Sequence, residues 1–210
     1  MRRLMRRTGA AGPCEVMLPW GRRIRLDVRD NIGAVVARLG VYDLIVTETI
    51  WRLTGSGETT IDVGANVGCI SAVFAERVGL GGRVISFEPH PVLYRELSDN
   101  LRTLQSQGIQ CALEPMRLAL GAATGVLPLH VPVDFQSHRG ESTLAELSHL
   151  EASKQTVDVT VERFDDVLGS TAIGVMKIDV EGFEKNVFLG AAEAFAANRV
   201  RDCVFEEHGD

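Results

Sequence analysis

A short turn between two apolar runs carries the residue types that a nucleotide-binding loop needs. The run TTIDV is followed by Gly64-Ala65-Asn66-Val67-Gly68. Gly64 can adopt the positive φ that lets a ligand approach the backbone, and Gly68 lets a helix pack closely against the strand. Asn66 is expected to cap that helix. The stretch therefore predicts a strand, a ligand-binding turn and a helix.

The residues around this turn indicate which kind of nucleotide it would hold. A dinucleotide loop has the pattern G-x-G-x-x-G, and Asn66 stands where the second glycine belongs, so the diphosphate cradle is incomplete and a dehydrogenase is disfavoured. Glu88 ends the next apolar run, where a carboxylate can accept the ribose hydroxyls. Asp62 would repel phosphate and favour a cation. S-adenosylmethionine combines these properties; the alternative is a βα turn whose glycines serve packing alone.

A second group of candidates lies in the run GVMKIDVEG. The alternation of a strand places Lys177, Asp179 and Glu181 on one face. Asp179 would stand at the carboxyl end of that strand, where it suits a base for a hydroxyl acceptor or a group that orients it, and Glu181 is the second candidate. Alternatively, Asp179 caps the loop and Glu181 pairs with Lys177 or Lys185.

Other chemistries are less favoured by the sequence. The carboxylates of Asp179 and Glu181, with Glu206 or Glu207, are an alternative divalent-metal site that would acidify the hydroxyl. The competing bases are His90, His138 and His149, which we interpret as ordinary polar residues. The four cysteines form no CxxC pair and have no histidine at metal spacing, so a zinc site is not expected.

The elements that must position these residues alternate between strand and helix. Apolar runs of strand length are separated by helical stripes, such as the one formed by Leu93, Leu97 and Leu101 behind a first-turn Pro91. This order predicts an α/β fold with a mostly parallel sheet, helices on both faces, and a ligand site at the carboxyl ends of the strands. Residues 1–58 are predicted to be a small N-terminal extension with a basic tail, a hairpin and a helix, and residues 59–210 the ligand-binding domain.

Composition narrows the function classes. The chain has 210 residues, is 45% hydrophobic and has a net charge of −6, which argues against a nucleic-acid binder. No apolar run reaches the roughly 20 residues of a membrane span. The basic cluster MRRLMRR is not followed by an apolar segment, so we expect a frayed tail rather than a signal peptide, and a cytoplasmic protein.

Taken together, three stretches resemble the FkbM family of S-adenosylmethionine-dependent methyltransferases. They are IDVGANVG (61–68), GRVISFEPHP (82–91) and MKIDVEGFEKNVFLGA (176–191), with weaker likeness in LALG, STL and RFDDVL. The resemblance extends from about residue 42 to residue 206. It implies a class I methyltransferase (Rossmann-like) fold and methyl transfer to an oxygen, often of a sugar, glycolipid or polyketide-like product; transfer to nitrogen stays open.

The resemblance also implies roles for individual residues. The methionine part and the ribose would be surrounded by Asp62, Gly64, Ala65, Asn66 and Gly68. Glu88 would hold the ribose hydroxyls, Pro89 would shape the pocket, and Leu118 and Ala119 would lie near the adenine. Thr47 and Glu48 would close over the amino-acid tail.

The resemblance raises one further expectation about the end of the chain. A full class I fold continues from its fifth parallel strand into an antiparallel β-hairpin, and this sequence stops at Asp210. We therefore expect the C-terminal hairpin to be missing. The alternative function is a truncated, catalytically weak module that binds S-adenosylmethionine or a partner. The acceptor expected for an active enzyme is a small molecule or a glycan.

Overall fold

A computed structural model describes residues 12–145 and 155–206. The strands are β1 (Pro13–Met17), β2 (Arg23–Asp27), β3 (Thr59–Val63), β4 (Arg83–Phe87), β5 (Ala112–Met116), β6 (Ala119–Leu120), β7 (Gly125–Val131), β8 (Gln155–Glu162), β9 (Ile173–Ile178) and β10 (Val200–Phe205). The helices are α1 (Asn31–Leu39), α2 (Leu44–Leu53), α3 (Cys69–Val78), α4 (Pro91–Ser106), α5 (Phe164–Leu168), α6 (Glu184–Gly190) and α7 (Ala192–Ala196), with a 3₁₀ turn at Arg139–Glu141. The described residues do not include the basic tail, His149 or Glu207. They also end before the place where a C-terminal hairpin would follow β10.

The central sheet has five parallel strands in the order β10-β9-β3-β4-β5. Ile61 and Val63 of β3 lie on one face, and Thr60 and Asp62 lie on the other, because successive residues of a strand alternate. All four side chains are buried, which requires both faces to be covered. The predicted α/β fold with a mostly parallel sheet is confirmed.

Two separate apolar cores cover the two faces of this sheet. One joins α2, α3 and α4 to the face of Val84 and Val175, with Phe74 fully buried within it. The other joins α5, α6 and α7 to the face of Ile61, with Phe164 fully buried within it. The prediction of helices on both faces is confirmed.

The residues before β3 pack into the first of these cores. β1 and β2 form the predicted antiparallel hairpin, and Leu26 and Ile50 share a cluster with Leu97 of α4. The helix α1 was not predicted, although its capping signals stand in the sequence: the side chain of Asp30 accepts from the Gly33 amide, and Gly40 ends the helix with φ 89°.

Strands β6, β8 and β7 form a second, three-stranded sheet, in which β7 and β8 are antiparallel. The runs VLPLHVPV and TVDVTVERF contain β7 and β8 respectively. A β-bridge between His130 and Thr143 ties the end of β7 to the segment around the 3₁₀ turn. Thr143 Oγ1 also donates to the Glu181 carbonyl, which places this segment beside the residues that follow β9.

Candidate active site

The strand order of the central sheet reverses between β3 and β9. The chain runs from β3 outward to β4 and β5, and then returns to build β9 and β10 on the other side of β3. Ligands of such sheets bind where the order reverses, at the carboxyl ends of the strands. A cleft lies at this point, and the segments that follow β3, β4 and β9 line it.

The turn after β3 fits closely against the segment after β9. Gly64 has φ 76°, and a Cβ at this position would overlap the carbonyl oxygen of Asp179. The amide of Asp179 in turn donates to the carbonyl of Val63 at 3.1 Å. Only glycine satisfies both the backbone angle and the space at position 64, so the predicted requirement for glycine has a structural reason.

The five backbone amides of this turn are already engaged within the protein. The amides of Gly64 and Ala65 donate to the Phe87 carbonyl at 3.0 and 2.9 Å. The Asn66 amide donates to Glu88 Oε2 at 2.8 Å, and the Val67 amide to Asn66 Oδ1 at 2.8 Å. The Gly68 amide donates to the Ala65 carbonyl at 2.8 Å. A phosphate-binding loop presents such amides to its ligand, so this turn does not supply a diphosphate cradle.

The expectation that Asn66 caps the following helix is wrong. Helix α3 begins at Cys69, after Gly68, and no side-chain hydrogen bond caps it. Asn66 instead has φ 50°, a left-handed conformation that asparagine tolerates better than most residues. Its backbone amide donates to Glu88 Oε2, and its side-chain Oδ1 accepts from the Val67 amide, a bond that a glycine at this position could not make.

Glu88 follows β4 and is only 5% exposed. Its Oε2 accepts from Asn66, and its Oε1 accepts from the His90 amide at 2.8 Å. Burial raises the pKa of Glu88 to about 7, although these hydrogen bonds act in the opposite direction. Each carboxylate oxygen keeps a second lone pair, so Glu88 can still accept from ligand hydroxyls.

Lys177 lines the cleft and joins two acids. Its Nζ lies 3.1 Å from Asp179 Oδ2 and 3.7 Å from Asp62 Oδ1, and it donates to the Gly64 carbonyl at 3.3 Å. Burial lowers the pKa of Lys177, but the charges of Asp179 and Asp62 outweigh burial and leave that pKa above its ordinary value. Burial raises the pKa of Asp62. Lys177 therefore keeps its proton and holds Asp179 against the turn after β3.

The predicted alternation from Lys177 to Glu181 is wrong at its far end. Strand β9 ends at Ile178, and Glu181 has φ 56°, so the two-residue period does not extend to it. The chain turns there through left-handed backbone angles at Glu181 and Gly182, and the carbonyl of Glu181 accepts from Thr143 Oγ1 at 2.5 Å. Glu181 nevertheless lines the cleft with Asp179.

Most of the residues predicted for the site line this cleft. They are Gly64, Ala65, Asn66, Glu88, Pro89, Leu118, Ala119, Asp179 and Glu181. Asp62 and Gly68 lie behind the surface: Asp62 is fully buried and accepts from Ser71 Oγ at 2.6 Å, and Gly68 packs against Leu97. These two residues support the turn from beneath.

Thr47, Glu48 and the described histidine candidates lie elsewhere. Thr47 is buried outside the cleft lining, and Glu48 pairs with Arg52 on an exposed part of α2. Burial lowers the pKa of His90 to about 4, and its Nδ1 accepts from the Val92 amide at the start of α4. His138 stands 3.9 Å from Asp134, outside the cleft lining. Across residues 12–145 and 155–206, no three histidine, cysteine or acidic side chains are grouped as metal ligands.

Three cleft residues were not among the predicted site residues, although one of them, Ser142, begins the STL stretch that resembles the family. Tyr42 precedes α2; burial raises its pKa, and the charges of Asp179 and Glu181 raise it further. Arg139 and Ser142 also line the cleft. Contacts with distant parts of the chain place them there, such as the 2.6 Å ion pair between Arg139 and Glu96. Local sequence patterns cannot show contacts of this kind.

Within the described parts of the chain, no helix is both long and apolar enough to cross a membrane.

Comparison with known proteins identifies the relatives of this chain. The model of the methyltransferase FkbM domain matches residues 62–210. The methyltransferase sdnD of Sordaria araneosa is 28% identical in a match that covers 73% of this chain and 68% of that protein. The 31-O-demethyl-FK506 methyltransferase FkbM of Streptomyces tacrolimicus is 30% identical in a match that covers 84% of this chain and 79% of that protein.

Solved structures show weaker likeness. The methyltransferase FkbM from Methylobacillus flagellatus KT matches 73% of this chain at 18% identity with a TM-score of 0.46, and the match spans 38% of that longer chain. A SAM-dependent O-methyltransferase from Thermotoga maritima matches 60% of this chain and 74% of its own at 12% identity, with a TM-score of 0.32. On the sequence match over residues 62–210, the chain belongs to the FkbM family of methyltransferases.

Proposed function

We propose that this protein transfers a methyl group from S-adenosylmethionine to a hydroxyl oxygen of a sugar, glycolipid or polyketide-like acceptor. The observation that carries the proposal is the combination of a turn whose amides are all engaged internally with Glu88 and Asp179 in the same cleft. The Streptomyces relative is named for O-methylation of a demethyl compound, which supports an oxygen acceptor.

The cleft residues fit S-adenosylmethionine better than a dinucleotide. Glu88 would accept the ribose hydroxyls with the lone pairs that Asn66 and His90 leave free. Leu118 and Ala119 would contact the adenine, and Gly64 would allow the amino-acid part to approach the backbone. Bound S-adenosylmethionine would supply an electrophilic methyl group on its sulfonium.

Asp179 is the group we assign to the acceptor hydroxyl. Its carboxylate side chain is 30% exposed and lines the cleft, so an acceptor can reach it. Lys177 fixes this carboxylate at 3.1 Å and remains protonated itself, so Lys177 does not compete as the base. Asp179 would take the hydroxyl proton as the oxygen–methyl bond forms. Glu181 is the second candidate for this role.

A binding measurement tests the cofactor assignment. Wild-type protein is expected to bind S-adenosylmethionine in calorimetry, and Glu88→Gln to bind it more weakly because an amide accepts fewer hydroxyl donors than a carboxylate. The exposed Asp99→Asn exchange at the surface of α4 is the matched control and should bind as wild type does. Wild-type protein that binds no S-adenosylmethionine would contradict the proposal.

A turnover measurement tests the catalytic assignment. Methyl transfer to a panel of glycans and hydroxylated polyketides is expected to fall by roughly 10²–10⁴-fold in Asp179→Asn, the usual contribution of a general base. Full activity of this variant would refute the role of Asp179. Wild-type protein that binds the cofactor but methylates no acceptor would instead favour the binding-module alternative.

A further inference from the structure

Two buried hydrogen-bond donors on one side of the cleft have no partner among the described residues. They are Nε of Arg139 and Oγ of Ser142, and both residues line the cleft. Arg139 as a whole is only 5% exposed. Buried polar atoms are almost always hydrogen-bonded in folded proteins, so two such donors within four residues point to a ligand that completes them.

The segment that carries them, residues 139–142, is held rigidly between distant parts of the fold. The amide of Arg139 donates to Asp30 Oδ1 at 3.1 Å, and Gly140 packs so closely on Ile32 that a Cβ would stand 3.0 Å from its Cδ1. Next to it, Thr143 Oγ1 donates to the Glu181 carbonyl. This segment therefore has a fixed position beside the loop that carries Asp179, where the acceptor must bind.

The charge around Arg139 is already balanced. Its Nη1 lies 2.6 Å from Glu96 Oε2, and its Nη2 lies 3.9 Å from Asp27 Oδ2. Asp179, Glu181 and Glu206 also line the cleft, and the charge of Lys177 in the same lining is paired with Asp179 and Asp62. An anionic group entering the cleft would therefore meet like charges. The unpartnered donors can therefore be satisfied by an uncharged oxygen but not favourably by a carboxylate or a phosphate.

We infer that residues 139–142 form the acceptor-recognition wall of the cleft, and that Arg139 Nε and Ser142 Oγ bind an uncharged oxygen, a hydroxyl or a carbonyl, of the methyl acceptor. This inference rests on the proposed methyl-transfer function and adds the chemical class of its acceptor. It assigns specificity to Arg139 and Ser142, and it excludes acceptors whose recognised group is anionic.

Two pairs of probes test the inference on protein loaded with S-adenosylhomocysteine. Methyl α-glucopyranoside is compared with the corresponding glucuronoside, and trans-cyclohexane-1,2-diol with trans-2-hydroxycyclohexanecarboxylate, each titrated by NMR. At least one neutral probe is expected to bind, and to bind more tightly than its anionic counterpart. Ser142→Ala should weaken that binding by about fivefold, the usual effect of losing one hydrogen bond.

Two further variants separate recognition from folding. Arg139→Lys keeps a positive charge near Glu96 and removes the Nε–H donor, so it should also weaken the neutral probe. Ser137→Ala lies outside the cleft lining and should bind every probe as wild type does. Affinity for S-adenosylhomocysteine should be the same in all of these proteins.

The outcomes distinguish this inference from the proposed function. Wild-type protein that does not bind S-adenosylhomocysteine contradicts the proposed function and, with it, this inference. Three outcomes overturn the inference alone, in protein that binds S-adenosylhomocysteine. The first is that no neutral probe binds, and the second is that anionic probes bind as tightly as neutral ones. The third is that Ser142→Ala and Arg139→Lys bind the neutral probe as wild type does. A loss of S-adenosylhomocysteine affinity in Ser142→Ala would place Ser142 in the cofactor site instead.

Discussion

Glu88 holds two loops together with the same carboxylate that we assign to the ribose. Its oxygens accept from the amides of Asn66 and His90, which follow β3 and β4 respectively. The sequence predicted an acid at this place but not its bonds to the protein, because those bonds depend on how the turn folds. The side chain therefore joins the two loops, and under the proposed assignment it would also bind the ribose.

Cofactor binding is expected to depend on the protonation of Glu88. Because burial raises the pKa of Glu88 to about 7, the ionised form that accepts hydroxyl donors is populated only as the pH rises through that value. The affinity for S-adenosylmethionine should increase roughly tenfold between about pH 6 and about pH 8, as the ionised fraction grows. Calorimetry across this range measures the change.

The free energy of unfolding should also depend on the protonation of Glu88, but it should fall as the pH rises. The folded-state pKa of about 7 lies above the ordinary value of 4.5, so the stabilising contribution is complete below about pH 4.5 and is lost as the pH rises through about 7. Glu88→Gln should remove this pH dependence of stability and that of binding. A variant whose binding still follows the wild-type pH profile would show that another group titrates.

The buried charge of Lys177 should stabilise the folded protein as well as hold Asp179 in position. Lys177→Met leaves the fully buried Asp62 without its cation, which should cost about 3 kcal/mol of unfolding free energy, as is usual when one member of a buried pair is removed. Adding Asp62→Asn to this variant should restore part of the loss, because the uncompensated carboxylate is then gone. Urea unfolding curves of the three proteins measure both effects, and no recovery in the double variant would contradict this account.

At the scale of elements, the turn after β3 should depend on the absence of a side chain at Gly64. Gly64→Ala would force a Cβ into the carbonyl of Asp179. Gly108, which follows α4, is a matched control because it has a similarly left-handed φ of 91° but open space where a Cβ would lie. Gly108→Ala should therefore cost about 1 kcal/mol from its backbone angle alone. Gly64→Ala should cost clearly more and should abolish binding of S-adenosylmethionine. Equal losses in urea unfolding would show that the contact with Asp179 is unimportant.

The elements that sequence patterns predicted are those with a strong local signal. Leu93, Leu97 and Leu101 recur at helical spacing behind Pro91, and the helix follows as expected. The sequence patterns did not predict the conformation where contacts between residues distant in sequence determine it. Glu181 lies beyond the end of β9 with a left-handed φ, and its carbonyl bonds Thr143, which is distant in sequence. Arg139 lines the cleft and is held by contacts with Asp30 and Glu96, which are also distant in sequence. The residues that follow β3, β4 and β9 in the cleft were therefore predictable, whereas Tyr42 and Arg139 were not.

At the scale of the whole molecule, the proposed boundary between residues 1–58 and 59–210 divides the sequence but not the core. Leu26 and Ile50 are buried in the same cluster as Phe74 and Leu97. Arg139 is also bound by the N-terminal segment, through Asp27 and Asp30. We therefore propose that the extension folds as one cooperative unit with the main domain and helps to hold the acceptor wall.

The two tryptophans make this proposal measurable. The chain has only two, Trp20 and Trp51, and both lie in the first 58 residues with ring centroids 5.7 Å apart. Tryptophan fluorescence therefore follows the extension, while far-UV circular dichroism is dominated by the helices and strands of the rest. Because the two parts share one core, both signals should give the same urea midpoint and slope. A fluorescence transition at lower urea would show that the extension unfolds by itself, and acceptor binding should then be lost before binding of S-adenosylmethionine.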